Sequence, residues 1–217
     1  MQVREVLDNV AGALGIAVTV LFSPILRAIY ARWGARDEEV AAALPGDAVV
    51  PGARLCSTRA IEIAAPARSV WPWLLQLGQG RGGLYSYAGL ENLAGCRITN
   101  ADEILREHQR LAVGDEIRMG PAGYPVFRVV EVVPEHHLVL QARDPKTGAP
   151  GDMSWVFVLR PTAAGCRLVV RGRLRVGAGV AQFVIWRGIT DPIWFVMERK
   201  MLLGIRARAE RPPLLRP

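Results

Sequence analysis

At 217 residues the chain is long enough for one good hydrophobic core and short for two. Hydrophobic residues make up 51% and charged residues 22%, and the mean hydropathy of +0.19 is high for a purely soluble chain of this size. The net charge of +7 comes almost wholly from arginines spread along the chain, which argues against nucleic acid as a partner and suits an anionic membrane face. Cys56, Cys96 and Cys166 form no C-x-x-C pair, and their spacing to His108, His136 and His137 matches no zinc pattern; buried free thiols in a reducing compartment are expected.

From Val10 to Leu26 no residue is charged, and the run reaches Tyr30 if Arg27 snorkels, close to the roughly 20 residues that cross a bilayer core. Residues 10–30 are thus expected to meet a membrane, the other reading being a hydrophobic helix docked on its own domain or on a partner chain. Arg27, Arg32 and Arg36 follow the segment, whereas Arg4 before it is offset by Glu5 and Asp8, so the globular part is expected on the cytoplasmic side. The organisation predicted is an anchor over 1–33, a linker over 34–54 broken by Pro45, Gly46, Pro51 and Gly52, a domain over 55–210 and a tail over 211–217. Within the linker at most one helical turn is expected, near Asp37 to Leu44.

Ile61 and Ile63 alternate with Glu62, predicting a first strand over Leu55 to Ile63. Val70, Trp73 or Leu74, and Leu77 recur at helical spacing, with Gly78 suited to closing that helix. Pro72 is harmless if Ser69 is the N-cap and kinks the helix if it starts at Pro66. A short helix near Tyr87 to Ala94 follows, then a helical piece near Ala101 to His108 with Asn100 and Glu103 in capping-box positions. Strands are predicted over Glu116 to Met119, Val126 to Val133, His137 to Gln141, Met153 to Arg160 and Cys166 to Val176. In the last, Leu168, Val170, Leu174 and Val176 share a core face, and Arg167, Arg171, Arg173 and Arg175 share a face expected to be in water. Val180 to Glu210 reads as helix, broken near Gly188 or Pro192, with Ile193, Met197, Met201 and Ile205 on one stripe.

Several segments carry a family resemblance: A-A-P-A-R-S-V-W-P-W-L-L-Q-L-G-Q-G-R-G-G-L-Y-S-Y (Ala64 to Tyr87), L-E-N-L-A-G-C (Leu90 to Cys96), the turn Leu111 to Asp115, and F-V-M-E-R-K-M-L-L-G-I (Phe195 to Ile205). Together these resemble the SRPBCC superfamily, the START-related and Bet v 1-like group that includes polyketide cyclase/dehydrase and lipid-transport relatives. The resemblance covers roughly Leu55 to Glu210. It implies an α+β helix-grip fold, a curved antiparallel sheet around a long C-terminal helix, with an apolar cavity between them that different members use for lipids, aromatic polyketides or hormones.

Gly78-x-Gly80-x-x-Gly83 has the spelling of a dinucleotide site, but a helix precedes it where that chemistry requires a strand, so a tight connector is preferred and no cofactor is expected. Arg81 within it is a candidate for holding a carboxylate or phosphate head group, or else a surface arginine. Tyr85 and Tyr87 suit a pocket lining or plain packing, and Glu91 and Asn92, polar on an apolar helix, are candidates to pair with Arg81. Phe127 and Trp155 should face inward as core or cavity wall. His136 and His137 should point oppositely, against a joint metal or acid-base role. No catalytic constellation is identifiable. The expectation is a membrane-associated carrier or sensor of a hydrophobic small molecule or lipid, with Arg81, Tyr85, Tyr87, Glu91, Asn92, Phe127 and Trp155 as its ligand-binding residues. The rival is a cyclase- or hydrolase-like enzyme in the same cavity, which requires Glu91 or a histidine to project into it with a perturbed pKa. A third reading has the arginine face of the last strand binding an acidic protein.

Overall fold

The computed structural model describes residues 3–144, 146–177 and 179–211. Six strands, β1 (Leu55–Ile63), β2 (Glu116–Arg118), β3 (Val126–Val133), β4 (His137–Arg143), β5 (Pro150–Thr162) and β6 (Gly165–Leu174), form one sheet in the order β1-β6-β5-β4-β3-β2. All neighbours are antiparallel. Register shifts at Val129/Glu131 and Gln141/Arg143 mark bulges, which bend a strand and add to sheet curvature. The long helix α7 (Asp191–Ala209) lies on the face presented by Phe127, Val129, Leu138, Leu140, Trp155, Phe157, Leu168 and Val170, and buries Met201, Leu202 and Ile205 there. The fold is α+β and consistent with a helix grip.

Helix α4 (Ala67–Leu75) closes one end of this core with Val70, Trp71, Trp73, Leu74 and Leu75. Its N-cap is Pro66, which leaves Pro72 inside the helix. Helix α5 spans Ala88–Leu93, and the helical piece expected over Ala101 to His108 is only a 3-10 turn at Arg106–His108. Asn100 serves elsewhere: its Oδ1 accepts from the Leu84 and Tyr85 amides and its Nδ2 donates to the Ser86 carbonyl. Its Oδ1 is thereby taken and cannot cap a helix starting at Ala101.

The segment expected as a linker is instead part of the fold. The Thr58 and Ala60 amides of edge strand β1 donate to the carbonyls of Ala31 and Trp33 at 2.8 and 3.1 Å, which covers an edge that would otherwise invite pairing with another chain. Gly34 turns the chain there at φ +71°, and a Cβ would collide with the Ala60 carbonyl. Helix α3 (Asp37–Ala41) and the residues after it then cross the back of the sheet. Leu44 joins Ala60, Val139, Val156, Val158 and Val169 in a second core.

Two of the four arginines expected to be in water, Arg167 and Arg171, are instead buried, whereas Arg173 is half-buried near Asp47 and Arg175 is exposed beside Asp152. Arg167 is 6% exposed and Arg171 3%. Arg167 donates to both oxygens of Glu39 and to the Gly34 carbonyl. Arg171 donates to Asp47 and to the carbonyls of Glu39, Val40 and Ala42. The acidic partner of Arg167 and Arg171 is the chain's own 37–47 segment, so these two arginines are not free to dock a second protein.

Two helices precede this clamp, α1 (Val3–Leu21) and α2 (Ser23–Tyr30), bent by 111° at Phe22. The bend breaks the continuous run expected from Val10 to Tyr30, and no single helix among the described residues is long and apolar enough to cross a membrane. Arg27, Arg32 and Arg36, expected to orient a span by their charge, pair with Asp191, Asp37 and Glu62. α6 (Val180–Ile185) runs through a π-helical turn (Trp186–Thr190) into α7, which places the expected break at Gly188.

Candidate ligand-binding cavity

The spacing of α7 puts Trp194, Glu198, Met201 and Ile205 on the stripe facing the sheet, so a carboxylate enters the apolar seam. A second charge meets it from β1. Arg59 shares the face of Ile61 and Ile63, is 0% exposed, and would be prohibitively costly there without partners. Its Nη1 donates to Glu198 Oε2 at 2.6 Å and its Nε to the Tyr30 carbonyl at 2.8 Å. Nη2 lies 3.6 Å from Asp191, which Arg27 approaches to 3.3 Å. The other Glu198 oxygen accepts from the indoles of Trp155 at 2.7 Å and Trp194 at 3.1 Å. The Arg59 guanidinium also sits over the Phe195 ring, on which Tyr30 stacks. Two cations and two carboxylates balance within this network. Burial pushes the Asp191 carboxyl up, and Arg59 and Arg27 pull it back.

Beside the network lies a cavity of ≈ 50 Å³ bounded by Leu84, Met119, Trp155, Trp194, Met197 and Met201, with Ser86, Glu91 and Glu198 as its polar members. Glu91 enters from α5. It is 7% exposed, its Oε2 has no hydrogen-bond partner among the described residues, and burial raises its pKa to about 7, with a Ser86 hydrogen bond opposing the shift. Glu198 and Glu91 thus differ sharply: one is fully partnered, the other buried without a cation.

The sign of Glu91's effect on stability follows from that shift. The native carboxyl holds its proton more tightly than the unfolded chain, whose glutamates titrate near 4.5. Its contribution is intact at low pH and is lost as pH climbs from about 4.5 to about 7, by roughly 3 kcal/mol. Glu91→Gln should therefore flatten the fall in urea midpoint between pH 5 and pH 8 and gain most at pH 8; an unchanged slope would place Glu91 in water.

The expected binding residues divide among three places. Glu91 and Trp155 line the cavity, and Phe127 packs behind it, 5.7 Å from the Trp155 ring and 6.4 Å from Trp194. Tyr85, Tyr87 and Asn92 instead border an outer groove of ≈ 760 Å³ between α1, α7 and the Ile98–Asp102 segment, with Lys200 and Arg208. Tyr85 is a packing residue, edge-on to Trp73 with its hydroxyl donating to the Trp73 carbonyl, and burial raises its pKa to about 12. Asn92 exchanges two hydrogen bonds with the Ile98 backbone. Arg81 is in neither place: it donates to the carbonyls of Leu75 and His108, so its expected pairing with Glu91 or Asn92 is corrected. The Leu75 carbonyl at the end of α4 and the His108 carbonyl at the end of the 3-10 turn occupy the guanidinium instead.

Gly78 and Gly83 pair through two backbone hydrogen bonds, a tight connector as expected. The His136 and His137 rings do meet, Nδ1 to Nδ1 at 2.7 Å, because His136 lies in the turn before β4 rather than in strand alternation. No group of three or more His, Cys, Asp or Glu among the described residues could hold a metal ion. Of the free cysteines only Cys166 is buried, and Cys56 is exposed.

Fold and site define an α+β sheet-and-helix domain with a small, aromatic- and methionine-lined cavity containing carboxyls. No protein-family model matches the chain, and no curated protein matches it. Among solved structures it is similar to a protein from Chromobacterium violaceum (18% identity, 72% of this chain and 98% of that one, TM-score 0.39) and to one from Nitrosomonas europaea (16%, 77% and 98%, TM-score 0.45). It is also similar to DynU16, a protein of the dynemicin biosynthetic locus (12%, 68% and 46%, TM-score 0.41).

Proposed function

We propose that the protein binds a hydrophobic small molecule or lipid between the sheet and α7, at the cytoplasmic face of a membrane, as a carrier or sensor. The observation that carries this reading is the cavity itself: a tryptophan- and methionine-lined space in which Glu91 keeps a buried oxygen without a partner. Unbranched methionines repack at small cost, so Met119, Met197 and Met201 are suited to giving way. They must do so, because ≈ 50 Å³ is far below the roughly 300 Å³ or more of a drug-sized site. The resemblance of the Ala64–Tyr87 and Phe195–Ile205 segments to the SRPBCC superfamily supports the same use of the space.

Titration of the full chain with N-phenyl-1-naphthylamine, a neutral apolar fluorophore, tests the reading. Saturable one-to-one binding is expected, weakened about tenfold or more by Met197→Trp, which fills the cavity from a half-buried position. Affinity should fall as pH rises through 7, since a neutral ligand further desolvates ionised Glu91. Equal binding by Met197→Trp would refute the location.

One observation favours a second reading, an enzyme using Glu91 as a general acid or base. A carboxyl with a pKa of about 7 inside the cavity is what acid-base chemistry near neutral pH requires. Glu91→Gln separates the two: it should leave apolar binding intact under the first and abolish turnover under the second.

A further inference from the structure

Helix α1 is inside out for a helix in water. Most of the residues it turns toward the domain are small or polar, with Ile16 and Val20 half-buried beside them. Gly12 leaves no room for a Cβ against Tyr87 and Leu90, Gly15 faces Val196, and Asn9 sits against Gly89. The Thr19 hydroxyl, buried, bonds back to the Gly15 carbonyl, and Ser23 at the head of α2 donates to the Arg187 carbonyl. The residues it turns outward are large and apolar: Val3, Leu7, Val10, Leu14, Val18 and Leu21 recur three or four apart, with Leu14 62% and Leu21 73% exposed. Ile25 and Ile29 of α2 are likewise exposed, as are Val180, Val184 and Ile185 of α6 and Ile189 of the π turn. Water selects the opposite arrangement, whereas small residues at the helix contact and large apolar ones outside are what a helix in a lipid environment shows.

We propose that the outward faces of α1, α2 and α6 form one docking surface for an anionic lipid bilayer, the helices lying along the interface instead of crossing it. The 111° bend presents two helix directions to a plane and no straight seam to a partner helix. Asp8 pairs with Lys200 of α7 at 3.1 Å, and α2 is tied to the buried network through Arg27 and the Tyr30 carbonyl, so both helices are held to the domain. The chain's net charge of +7 complements anionic headgroups. Arg54, stacked on Phe183, and Arg187 in the π turn border the α6 part of the surface, and burial of the apolar faces supplies the remaining attraction. This inference deepens the membrane side of the proposed function and does not depend on the cavity.

Sedimentation of the full chain with phosphatidylcholine vesicles, with and without phosphatidylglycerol, tests it. The protein should bind the anionic vesicles more tightly and be released by alkaline carbonate. Leu14→Glu/Val18→Glu and, independently, Ile25→Glu/Ile189→Glu should each weaken partitioning about tenfold or more while leaving the circular dichroism and N-phenyl-1-naphthylamine binding unchanged. Unchanged partitioning in both variants, or no partitioning of the parent, would overturn the docking surface. So would resistance to carbonate, which marks a span, or a lipid-free dimer that the variants dissociate, which assigns the face to a second copy. Lost probe binding with vesicle binding retained would overturn the ligand reading and leave the docking surface standing.

Discussion

Arg59→Met is expected to lower the free energy of unfolding by about 3–5 kcal/mol, because breaking a buried ion pair strands its partner. Arg59 is wholly buried and, among the described residues, supplies Glu198 with its only cation within salt-bridge distance. Without it the carboxylate keeps the two indole donors, Trp155 and Trp194, and Asp191 keeps Arg27. The Tyr30 carbonyl also loses its donor, loosening α2. The double variant Arg59→Met/Glu198→Leu should recover much of the loss, since replacing both members of a buried pair by apolar groups is often close to neutral. Urea unfolding of parent, single and double variants measures this directly. A single variant within about 1 kcal/mol of the parent, the range of a solvated ion pair, would mean that the pair is hydrated.

The second large effect lies on the opposite face of the sheet. Glu39→Ala should cost about 3–5 kcal/mol by leaving the Arg167 guanidinium buried with only the Gly34 carbonyl and the half-exposed Glu62. Glu39 also closes the first turn of α3 by accepting from the Arg36 amide, and Arg167 holds its carboxyl below the usual range against the opposing effect of burial. The loss should therefore be accompanied by release of residues 34–50, read as faster amide exchange at Leu44 and faster proteolysis in the segment. A loss of stability without that release would separate the ion pair from the clamp.

The sheet was legible from alternation and turn residues because strands with one wet face repeat every two residues; β3 matches its expected limits at both ends. What misled was the assumption of a wet face. Val139, Val156, Val158 and Val169 lie opposite the α7 side, so β4 to β6 are apolar on both faces, the pattern of strands covered twice. That pattern was present in Trp155-Val156-Phe157-Val158-Leu159 and signalled that something packs behind the sheet. The arginines of β6 masked it, since alternation cannot tell a solvated arginine from one paired with Glu39 or Asp47 far away in sequence.

The cavity was partly legible. Trp155 and Glu91 stood out because one is a large residue on an inward position and the other a charge on an apolar helix. Arg59 and Glu198 were missed, although Arg59 continues the inward alternation of Ile61 and Ile63, and Glu198 follows Trp194 by one helical repeat. An inward-facing charge is informative only once its partner is known, and these two lie 139 residues apart. Arg81 was overvalued because sequence shows a guanidinium among glycines and hides the carbonyls that occupy it.

Native mass spectrometry of the full chain, purified without detergent and compared with Met197→Trp, tests the central claim most directly. A one-to-one adduct with an apolar small molecule, carried by the parent and absent from the cavity-filled variant, is the predicted result. Equal adducts on both proteins, or none on the parent after incubation with N-phenyl-1-naphthylamine, would contradict it.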